Sequence, residues 1–395
     1  MKKVALVVQR CHESLVGGSE SLAWQYANFL KDAFQVEVIT TTALDYMTWD
    51  NVLHPGLETR DNISIRRFPV TIGRSAYWHS LHEQLIRSFQ AAKLTNLSPN
   101  GNLISWSFAI QEEYIRYQGP YSEPLIDFLR QRESDYHCII FFTYLYPTTY
   151  FGINQISASP CLLVPTLHDE PPAYLTAYKY MAQKVGSVIW LTNAEKQLGE
   201  NLWENLPGKA ISMGIETKSY NPIDVNYKYI LYCGRITPSK GCQELFDFFI
   251  QFKEENPSNL RLVLTGKAEM KIPRHPDIDF KGFVSSEKKF ELMAGATIFV
   301  MPSSMESFSI VTLEAMAQKT PVLVNGNCQV LLEHIIQSKC GKLYKDYESF
   351  SQGIEELLAN ASHLTHLGEL AREYVVSHYG FDNVSQRLIE LIEQC

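Results

Sequence analysis

The sequence lacks the features that define several protein classes. Its eight cysteines are scattered without a C-x-x-C pair, which excludes a zinc site of that spacing and makes a disulfide framework unexpected in 395 residues. A membrane-spanning helix needs about 20 apolar residues, but the most apolar stretch, CIIFFTYLYPTTYFGI, is polar in its middle and broken by Pro147. The opening MKKVALVVQR holds too few apolar residues for a signal peptide. We therefore expect a cytoplasmic protein, with peripheral contact to the inner face of the membrane left open.

The charge balance argues against one class of partner. The formal net charge is -8 at pH 7 and no arginine-rich tail offsets it, whereas general nucleic-acid binders are usually basic. Hydrophobic residues make up 45% and charged residues 20%, which suffices for ordinary buried cores. The length exceeds that of one compact core. We expect two folded domains and no nucleic-acid partner.

Short apolar runs alternate with helical patterns along the chain. The runs that predict strands are VALVV, VEVIT, CIIFFT, CLLVPT and SVIWLT, then YILYCG, LRLVLTG, TIFVMP and TPVLVN. Nearly continuous apolar strands between helices indicate parallel sheets covered on both faces. A turn-rich segment, 211–228, separates the two sets. The predicted fold class is α/β, with two tandem Rossmann-like domains, 1–215 and 216–377, facing a central cleft.

The first turn after a predicted strand, VVQRCHESLVGGSES, lacks the pattern G-x-G-x-x-G. The next strand leads into TTTALD without an acid at its tip, so a nicotinamide dinucleotide site is disfavoured. Gly17 and Gly18 precede a helix and could let backbone amides approach a phosphate. The alternative is a flexible loop without a ligand.

In the second domain, YILYCGRITPSKG places Gly234, Arg235 and Lys240 directly after a strand. Glycine permits close approach of a ligand, and the two cations could hold a diphosphate. The alternative is a solvated loop.

The segment TIFVMPSSMESFSIVTLEAMAQK predicts a strand, a loop and a helix that begins near Ser309. The amides of Ser309, Ile310 and Val311 would form the positive end of this helix, which suits a phosphate. Glu306 would project from the loop, and Glu314 would lie about 7 Å further along the axis. One carboxylate could hold a sugar and the other a ribose. Alternatively, Glu314 is a solvated helix residue and Glu306 a helix-capping acid.

The stretches GRITPSKG, ESFSIVTLEAMA and TPVLV together resemble the C-terminal domain of GT-B glycosyltransferases of family 4, and VGGSE is similar to that family's first N-terminal turn. The opening VVQRCHES looks most like members that build bacterial envelope or extracellular polysaccharides, including heterocyst-envelope enzymes. The resemblance implies a retaining hexosyltransferase that needs no metal or cofactor. Its donor would be a nucleotide sugar, most commonly a UDP-hexose such as UDP-glucose, and its acceptor a glycan or a lipid-linked oligosaccharide.

The resemblance also assigns roles to particular residues. It implies that Arg235 and Lys240 hold the diphosphate, that Glu306 contacts the donor sugar and that Glu314 contacts the ribose. It further implies that Gly18 approaches the donor from the other domain.

Three more expectations follow from the resemblance. TLHDEP implies that His168 lies near the transferred sugar, and 378–395 resembles a terminal helix that crosses back onto the first domain. The family often has glycine where this chain has Ser307 and Ser309, a departure that bears on how tightly the loop encloses the sugar.

Some alternatives stay open. A sugar-nucleotide epimerase of the same fold and a non-catalytic sugar-nucleotide-binding protein would share most of these motifs. Asp277 and Asp279 have the D-x-D spacing of metal-dependent transferases but lead into a strand, so we expect them at the surface. One stretch mixes aromatic and basic residues and suits either an anionic membrane surface or an ordinary exposed helix. Its basic residues are Arg66, Arg67, Arg74, Arg87 and Lys93.

Overall fold

The computed structural model describes residues 1–14, 17–94 and 106–395. The chain divides into two compact units, Met1–Met213 with Ser385–Cys395, and Gly214–Val384. Each unit is built on a mainly parallel sheet with helices in the connections, so the predicted α/β fold is confirmed. No helix of the described ranges is both long and apolar enough to cross a membrane.

The first unit contains an eight-stranded sheet. Its strands are β1 (Lys3–Val7), β2 (Gln35–Thr41), β3 (Gly56–Arg60), β4 (Ile63–Phe68), β5 (Cys138–Phe142), β6 (Cys161–Val164), β7 (Ser187–Trp190) and β8 (Gly208–Ala210). Their order is β3-β4-β2-β1-β5-β6-β7-β8, and every pair is parallel except β3 with β4. The strand order therefore reverses direction between β1 and β5, the position at which doubly wound sheets bind ligands.

Seven helices are described in this part of the chain. They are α1 (Gly18–Leu30), α2 (Ala76–Leu94), α3 (Phe108–Gln118), α4 (Glu123–Arg132), α5 (Pro147–Ile153), α6 (Thr176–Ala182) and α7 (Asn193–Trp203). Ser107, Ser122 and Thr192 cap α3, α4 and α7, since each side-chain oxygen accepts a hydrogen bond from a first-turn amide. All five residues of β5 are buried, as expected for a strand covered on both faces.

The hairpin β3–β4 corrects the expectation for the first two residues of the basic stretch, whereas Arg87 lies exposed on helix α2. Arg66 and Arg67 lie on a strand and not on an exposed helix. Arg66 Nε lies 2.6 Å from Glu37 Oε1, and Arg67 NH1 lies 2.6 Å from Glu58 Oε2. Since both guanidinium groups are held by carboxylates of the protein, these two arginines do not form a free basic surface.

The second unit contains a six-stranded sheet in which all pairs are parallel. Its strands are β9 (Tyr229–Cys233), β10 (Arg261–Thr265), β11 (Ile278–Phe280), β12 (Ile298–Met301), β13 (Val322–Asn325) and β14 (Gly341–Tyr344). The order β11-β10-β9-β12-β13-β14 is the 3-2-1-4-5-6 order of a doubly wound sheet. Its switch point lies between β9 and β12.

The remaining helices are α8 (Cys242–Glu255), α9 (Ser286–Gly295), α10 (Ile310–Ala317), α11 (Gln329–Ser338), α12 (Tyr347–Leu358), α13 (Ala361–Tyr379) and α14 (Phe381–Glu393). Helix α14 begins in the second unit, and its residues from Ser385 onward group with the first unit. All eight cysteines lie in the described ranges and are free thiols.

Candidate functional site

Two loops meet at the switch point of the second sheet, one after β9 and one after β12. Gly241 closes the first loop with a φ of 74°, a left-handed conformation that favours glycine. A Cβ at Gly241 would lie 2.3 Å from the carbonyl oxygen of Pro302, the first residue after β12. The two loops are therefore in direct contact, and a side chain at Gly241 would separate them.

An ion pair joins the same two loops. Lys240 Nζ lies 2.6 Å from Glu306 Oε1, and both side chains are partly open to solvent. Glu306 pairs with Lys240, and the N-cap of the helix is Ser309, three residues further along the chain. The alternative of Glu306 as a capping acid therefore does not hold. Arg235, in the same loop as Lys240, is exposed. The structure thus places two cations and one carboxylate in the two loops at the switch point.

Glu314 lies in the second turn of α10, and its carboxylate pairs with Lys289 of α9. Lys289 Nζ is 2.6 Å from Glu314 Oε1, and the exposed fractions of the two side chains are 22% and 12%. Burial raises the pKa of Glu314, and Lys289 acts against that rise. The alternative of a solvated helix residue therefore does not hold. Glu314 Oε2 is buried and has no hydrogen-bond partner among the described residues, so one acceptor of this carboxylate is unused in the free protein.

Helix α10 begins at the predicted position. Ser309 is its N-cap, with φ and ψ both 60°, and its hydroxyl lies 2.8 Å from that of Thr312. Ile310 and Val311 are the first two helical residues, and first-turn amides have no partner inside a helix. They form the positive helix end expected for a phosphate.

A buried histidine, which the sequence analysis did not predict as a site residue, holds the loop between β12 and α10. His334 of α11 places Nε2 2.9 Å from the carbonyl oxygen of Phe308 and Nδ1 3.1 Å from the hydroxyl of Tyr374. The ring is fully buried, and burial lowers the pKa of His334. A neutral imidazole therefore fixes the backbone between Glu306 and α10.

In the first unit, His168 follows β6 and is partly exposed. The amide of the preceding residue, Leu167, donates a 2.6 Å hydrogen bond to Glu195 Oε1. Glu195 Oε2 accepts another from the amide of Leu191, at 2.5 Å. Burial raises the pKa of Glu195 to about 8, although the backbone donors act in the opposite direction. This buried carboxyl, also missed from sequence, fastens the loop that carries His168.

Gly17 and Gly18 lie at the start of α1, as predicted. Gly17 is the N-cap, and a Cβ there would lie 2.2 Å from Glu20 Oε2. Glu20 in turn pairs with Arg10 at 2.5 Å in a buried ion pair. A Cβ at Gly18 would meet no atom within 4 Å. Packing within this unit thus explains the glycine at 17 and leaves the surface at Gly18 open.

The structure brings Lys240, Glu306 and the start of α10 together, and it pairs Glu314 with Lys289. The two aspartates of the D-x-D match instead form ion pairs with lysines, Asp277 with Lys253 at 3.1 Å and Asp279 with Lys281 at 2.6 Å. Over the described ranges, no group of three or more His, Cys, Asp or Glu side chains is arranged to hold a metal ion.

Comparison with known proteins finds a family model that matches most of the second unit. Residues 215–374 match the family model described as Glycosyl transferases group 1. An uncharacterized glycosyltransferase of Methanocaldococcus jannaschii is 28% identical over 176 residues, which cover 42% of this chain and 44% of that protein. The MMP alpha-(1->4)-mannosyltransferase of Mycolicibacterium hassiacum is 24% identical over 196 residues, 47% of each chain. The chain thus spans about half the length of the curated relatives it matches.

Solved structures share the fold over the whole chain. Sucrose-phosphate synthase of Thermosynechococcus elongatus superposes with a TM-score of 0.71 at 17% identity, covering 100% of this chain and 99% of that one. Anabaena HepE, in complex with UDP and glucose, gives 0.68 at 15% identity, with 100% of both chains covered.

The fold is therefore that of GT-B glycosyltransferases, and the second unit carries a glycosyl transferases group 1 domain. The match confirms the glycosyltransferase class predicted for this domain.

Proposed function

We propose that the chain is a retaining, metal-independent hexosyltransferase. It takes the hexose from a nucleotide sugar, a UDP-hexose such as UDP-glucose, and passes it to a glycan or lipid-linked acceptor in polysaccharide synthesis. The observation that carries this proposal is the pair of carboxylates, Glu306 and Glu314, that follow β12 at the switch point of the second sheet. Glu306 is ion-paired with a loop lysine, and Glu314 keeps one buried oxygen without a partner.

The residues that bind the donor are inferred from the charged groups of the second unit. The diphosphate binds Arg235, Lys240 and the first-turn amides of α10, because these are the positive groups at the switch point. When Lys240 turns to the diphosphate, Glu306 becomes free to accept hydrogen bonds from the sugar hydroxyls. Glu314 Oε2 accepts a hydrogen bond from the ribose. The complex of Anabaena HepE with UDP and glucose supports the choice of donor.

The same groups serve the chemistry. Cleavage of the glycosidic bond places negative charge on the leaving diphosphate, which Arg235, Lys240 and the helix amides stabilise. The leaving phosphate takes the proton of the acceptor hydroxyl on the same face of the sugar, which retains the configuration. His168 holds a sugar hydroxyl, since a neutral imidazole can donate and accept hydrogen bonds.

Calorimetry with UDP on wild type and Lys240→Ala tests the proposal. Each charge-assisted contact is worth about 1.5 to 3 kcal/mol, so the variant should bind UDP roughly tenfold to a hundredfold more weakly. Lys319→Ala is the matched control, because Lys319 is in the same unit and pairs with Glu369 at 2.7 Å on the surface. Unchanged affinity in Lys240→Ala, or complete loss of binding on adding a chelator to wild type, would refute the assignment.

A transfer assay separates the enzyme from the two alternatives. A transferase releases UDP from UDP-hexose only when an acceptor is present. An epimerase converts the sugar of the nucleotide sugar and requires no acceptor. A binding protein would hold the donor and turn over none of a panel of nucleotide sugars.

A further inference from the structure

A cluster of arginines and aromatic rings lies at the ligand-binding edge of the first sheet. Arg10 follows β1, Trp49 follows β2, Arg74 follows β4 and Tyr146 follows β5, and these four strands are neighbours. The rings of Trp49 and Tyr146 meet edge to face at 5.3 Å, and Arg10 Cζ lies 5.7 Å from the Trp49 ring. Because carboxyl ends of parallel strands line the ligand crevice of a doubly wound sheet, this cluster lies where the first unit is expected to bind.

The two arginines differ in their partners. Arg10 is held by Glu20 and by the carbonyl oxygen of Leu44. Across the described residues, Arg74 has no carboxylate within 4.0 Å. Its hydrogen bonds run from Nε to the carbonyl oxygen of Gln118, at 3.3 Å, and from NH1 to Met47 Sδ, at 3.8 Å. The charge of Arg74 is therefore not matched by an ion pair.

The nearby groups do not satisfy Arg74. Asp45 acts on it electrostatically from beyond ion-pair distance, but its carboxylate accepts the amides of Met47 and Thr48. Gln118 is 3% exposed, and its side-chain oxygen has no partner. A half-buried guanidinium without a counter-charge costs stability, and an anionic ligand bound at Arg74 would offset that cost.

The aromatic contacts of Arg74 suit a ligand. Its Cζ lies 4.6 Å from the Trp78 ring and 6.0 Å from the Trp49 ring. Stacking on aromatic rings uses the faces of a guanidinium and leaves its N–H edge to bind an anion, bidentately where the geometry allows. The ring of Tyr46 lies 5.6 Å from Arg10 Cζ, is 41% exposed and offers an aromatic face to a sugar ring.

The cluster is close to the loop that carries His168. Tyr146 lies in the loop between β5 and α5, and Tyr144 belongs to the same loop. Glu170 Oε1 accepts a 2.8 Å hydrogen bond from Tyr144, and the amide of Glu170 donates to the carbonyl oxygen of His168 at 2.9 Å. A ligand held at Arg74 would therefore lie near the residue assigned to the transferred sugar.

We propose that Arg74 is the anion-binding residue of the acceptor subsite, and that the acceptor carries a phosphate or carboxylate group close to the hydroxyl that receives the hexose. This inference rests on the proposed transferase function. The anionic group could belong to either of two acceptors, a soluble anionic sugar or a lipid-linked acceptor with a phosphate.

Calorimetry on the full chain saturated with UDP tests the proposal, since UDP keeps the probes out of the diphosphate site. The probes are glucose, glucose 6-phosphate and glucuronate. For a soluble acceptor, wild type should bind at least one anionic probe about tenfold or more tightly than glucose, and Arg74→Gln should remove that preference. UDP affinity should not change, because no UDP contact is assigned to Arg74. If Arg74→Gln does not fold, Arg74→Lys replaces it and should weaken the preference, since lysine lacks the fork of donors.

Arg116→Gln is the matched control. Arg116 is also partly buried and stacks on aromatic rings, with Cζ 4.7 Å from Tyr121 and 4.6 Å from Phe151, but it is not part of the cluster. Its replacement should leave the anion preference intact. An equal loss in both variants would mean that stacked arginines only support the fold, and would overturn the proposal.

Vesicle flotation separates the two sources. If the anion belongs to a lipid, wild type should float with phosphatidylglycerol vesicles and not with phosphatidylcholine vesicles, and Arg74→Gln should not float. The proposal is overturned if neither the soluble probes nor the vesicles are discriminated by charge. It is also overturned if vesicle binding survives in Arg74→Gln and no soluble probe is preferred. UDP binding that depends on Lys240 would still stand in that case, so failure of this inference is distinguishable from failure of the proposed function.

Discussion

The Lys289–Glu314 pair allows a prediction whose size follows from the structure. Replacing Lys289 with methionine removes the cation and keeps most of the side-chain volume. The Glu314 carboxylate, with 12% of the side chain exposed, is then left buried without a partner for either oxygen. Breaking a buried pair costs about 3 to 5 kcal/mol, and the residual exposure of this pair places it near the lower value.

Protonation limits the loss. A carboxyl with an ordinary pKa near 4.3 can be made neutral at pH 7 for about 3.7 kcal/mol, and at pH 5 for about 1 kcal/mol. Because burial raises the pKa of Glu314, the folded variant takes up a proton more readily than the unfolded chain. We therefore expect Lys289→Met to lose about 3 kcal/mol at pH 7 and about 1 kcal/mol at pH 5. Its deficit should shrink as the pH falls.

Chemical denaturation followed by circular dichroism measures the deficit, and calorimetry measures UDP binding in the same variants. Lys288→Met is the matched control, because Lys288 is the adjacent residue on α9 and forms an exposed pair with Glu291 at 2.9 Å. Such a pair is worth roughly 0 to 0.5 kcal/mol. The double variant Lys289→Met with Glu314→Gln should recover most of the stability, because no buried charge remains. At pH 5, UDP should bind Lys289→Met more weakly than it binds wild type, since the Glu314 carboxyl of the variant is then neutral and a weaker acceptor for the ribose.

Two outcomes would refute the reasoning. A deficit that is the same at pH 7 and pH 5 would show that Glu314 does not carry the cost. Equal losses in Lys289→Met and Lys288→Met would show that the pair is not buried in solution.

The remaining predictions concern the sugar, the acceptor side and the loop support. Glu314→Ala should weaken binding of UDP itself, whereas Glu306→Ala should leave UDP binding nearly intact and lower turnover; equal losses of UDP affinity in calorimetry would contradict this division. His168→Ala should lower kcat by on the order of 10²-fold, comparable to one preorganised transition-state contact, with UDP affinity unchanged; near-normal transfer rates would make it a structural histidine. Because burial lowers the pKa of His334, the unfolded chain binds the proton more readily, and His334 should reduce stability as the pH falls below about 6.5. In His334→Gln, the free energy of unfolding should depend less on pH in that range. An unchanged dependence would argue against a buried neutral imidazole at this position.

The strands that the sequence predicted are the ones buried on both faces. The residues of β9 and β12 are all buried, so their apolar runs are continuous and legible. By contrast β3, with the sequence GLETR, is an edge strand with four exposed residues, and β11 is a short edge strand of mixed polarity. Their strand character comes from pairing with a neighbour, which a periodic pattern does not record.

The candidate site divides in the same way. Lys240 and Glu306 were predictable because they follow apolar strands, where a doubly wound sheet binds its ligands. Lys289 was not, because it lies in SEKKFELMAG beside Lys288, and only the tertiary contact with Glu314 tells the two lysines apart. The role of buried residues such as Glu195 was not predictable for the same reason, since the burial of a charged side chain depends on packing between elements that are distant in sequence.

Ser309 shows how local preference and tertiary structure share control of the loop. A left-handed conformation costs a residue other than glycine roughly 1 to 2 kcal/mol, and Ser309 adopts it while 96% buried, with a hydrogen bond to the hydroxyl of Thr312. The surroundings fix the conformation on both sides. His334 holds the carbonyl oxygen of Phe308, and Gly241 packs against the carbonyl oxygen of Pro302. A serine therefore takes the conformation that a glycine would take at lower cost, and the departure from glycine does not by itself require a looser loop around the sugar.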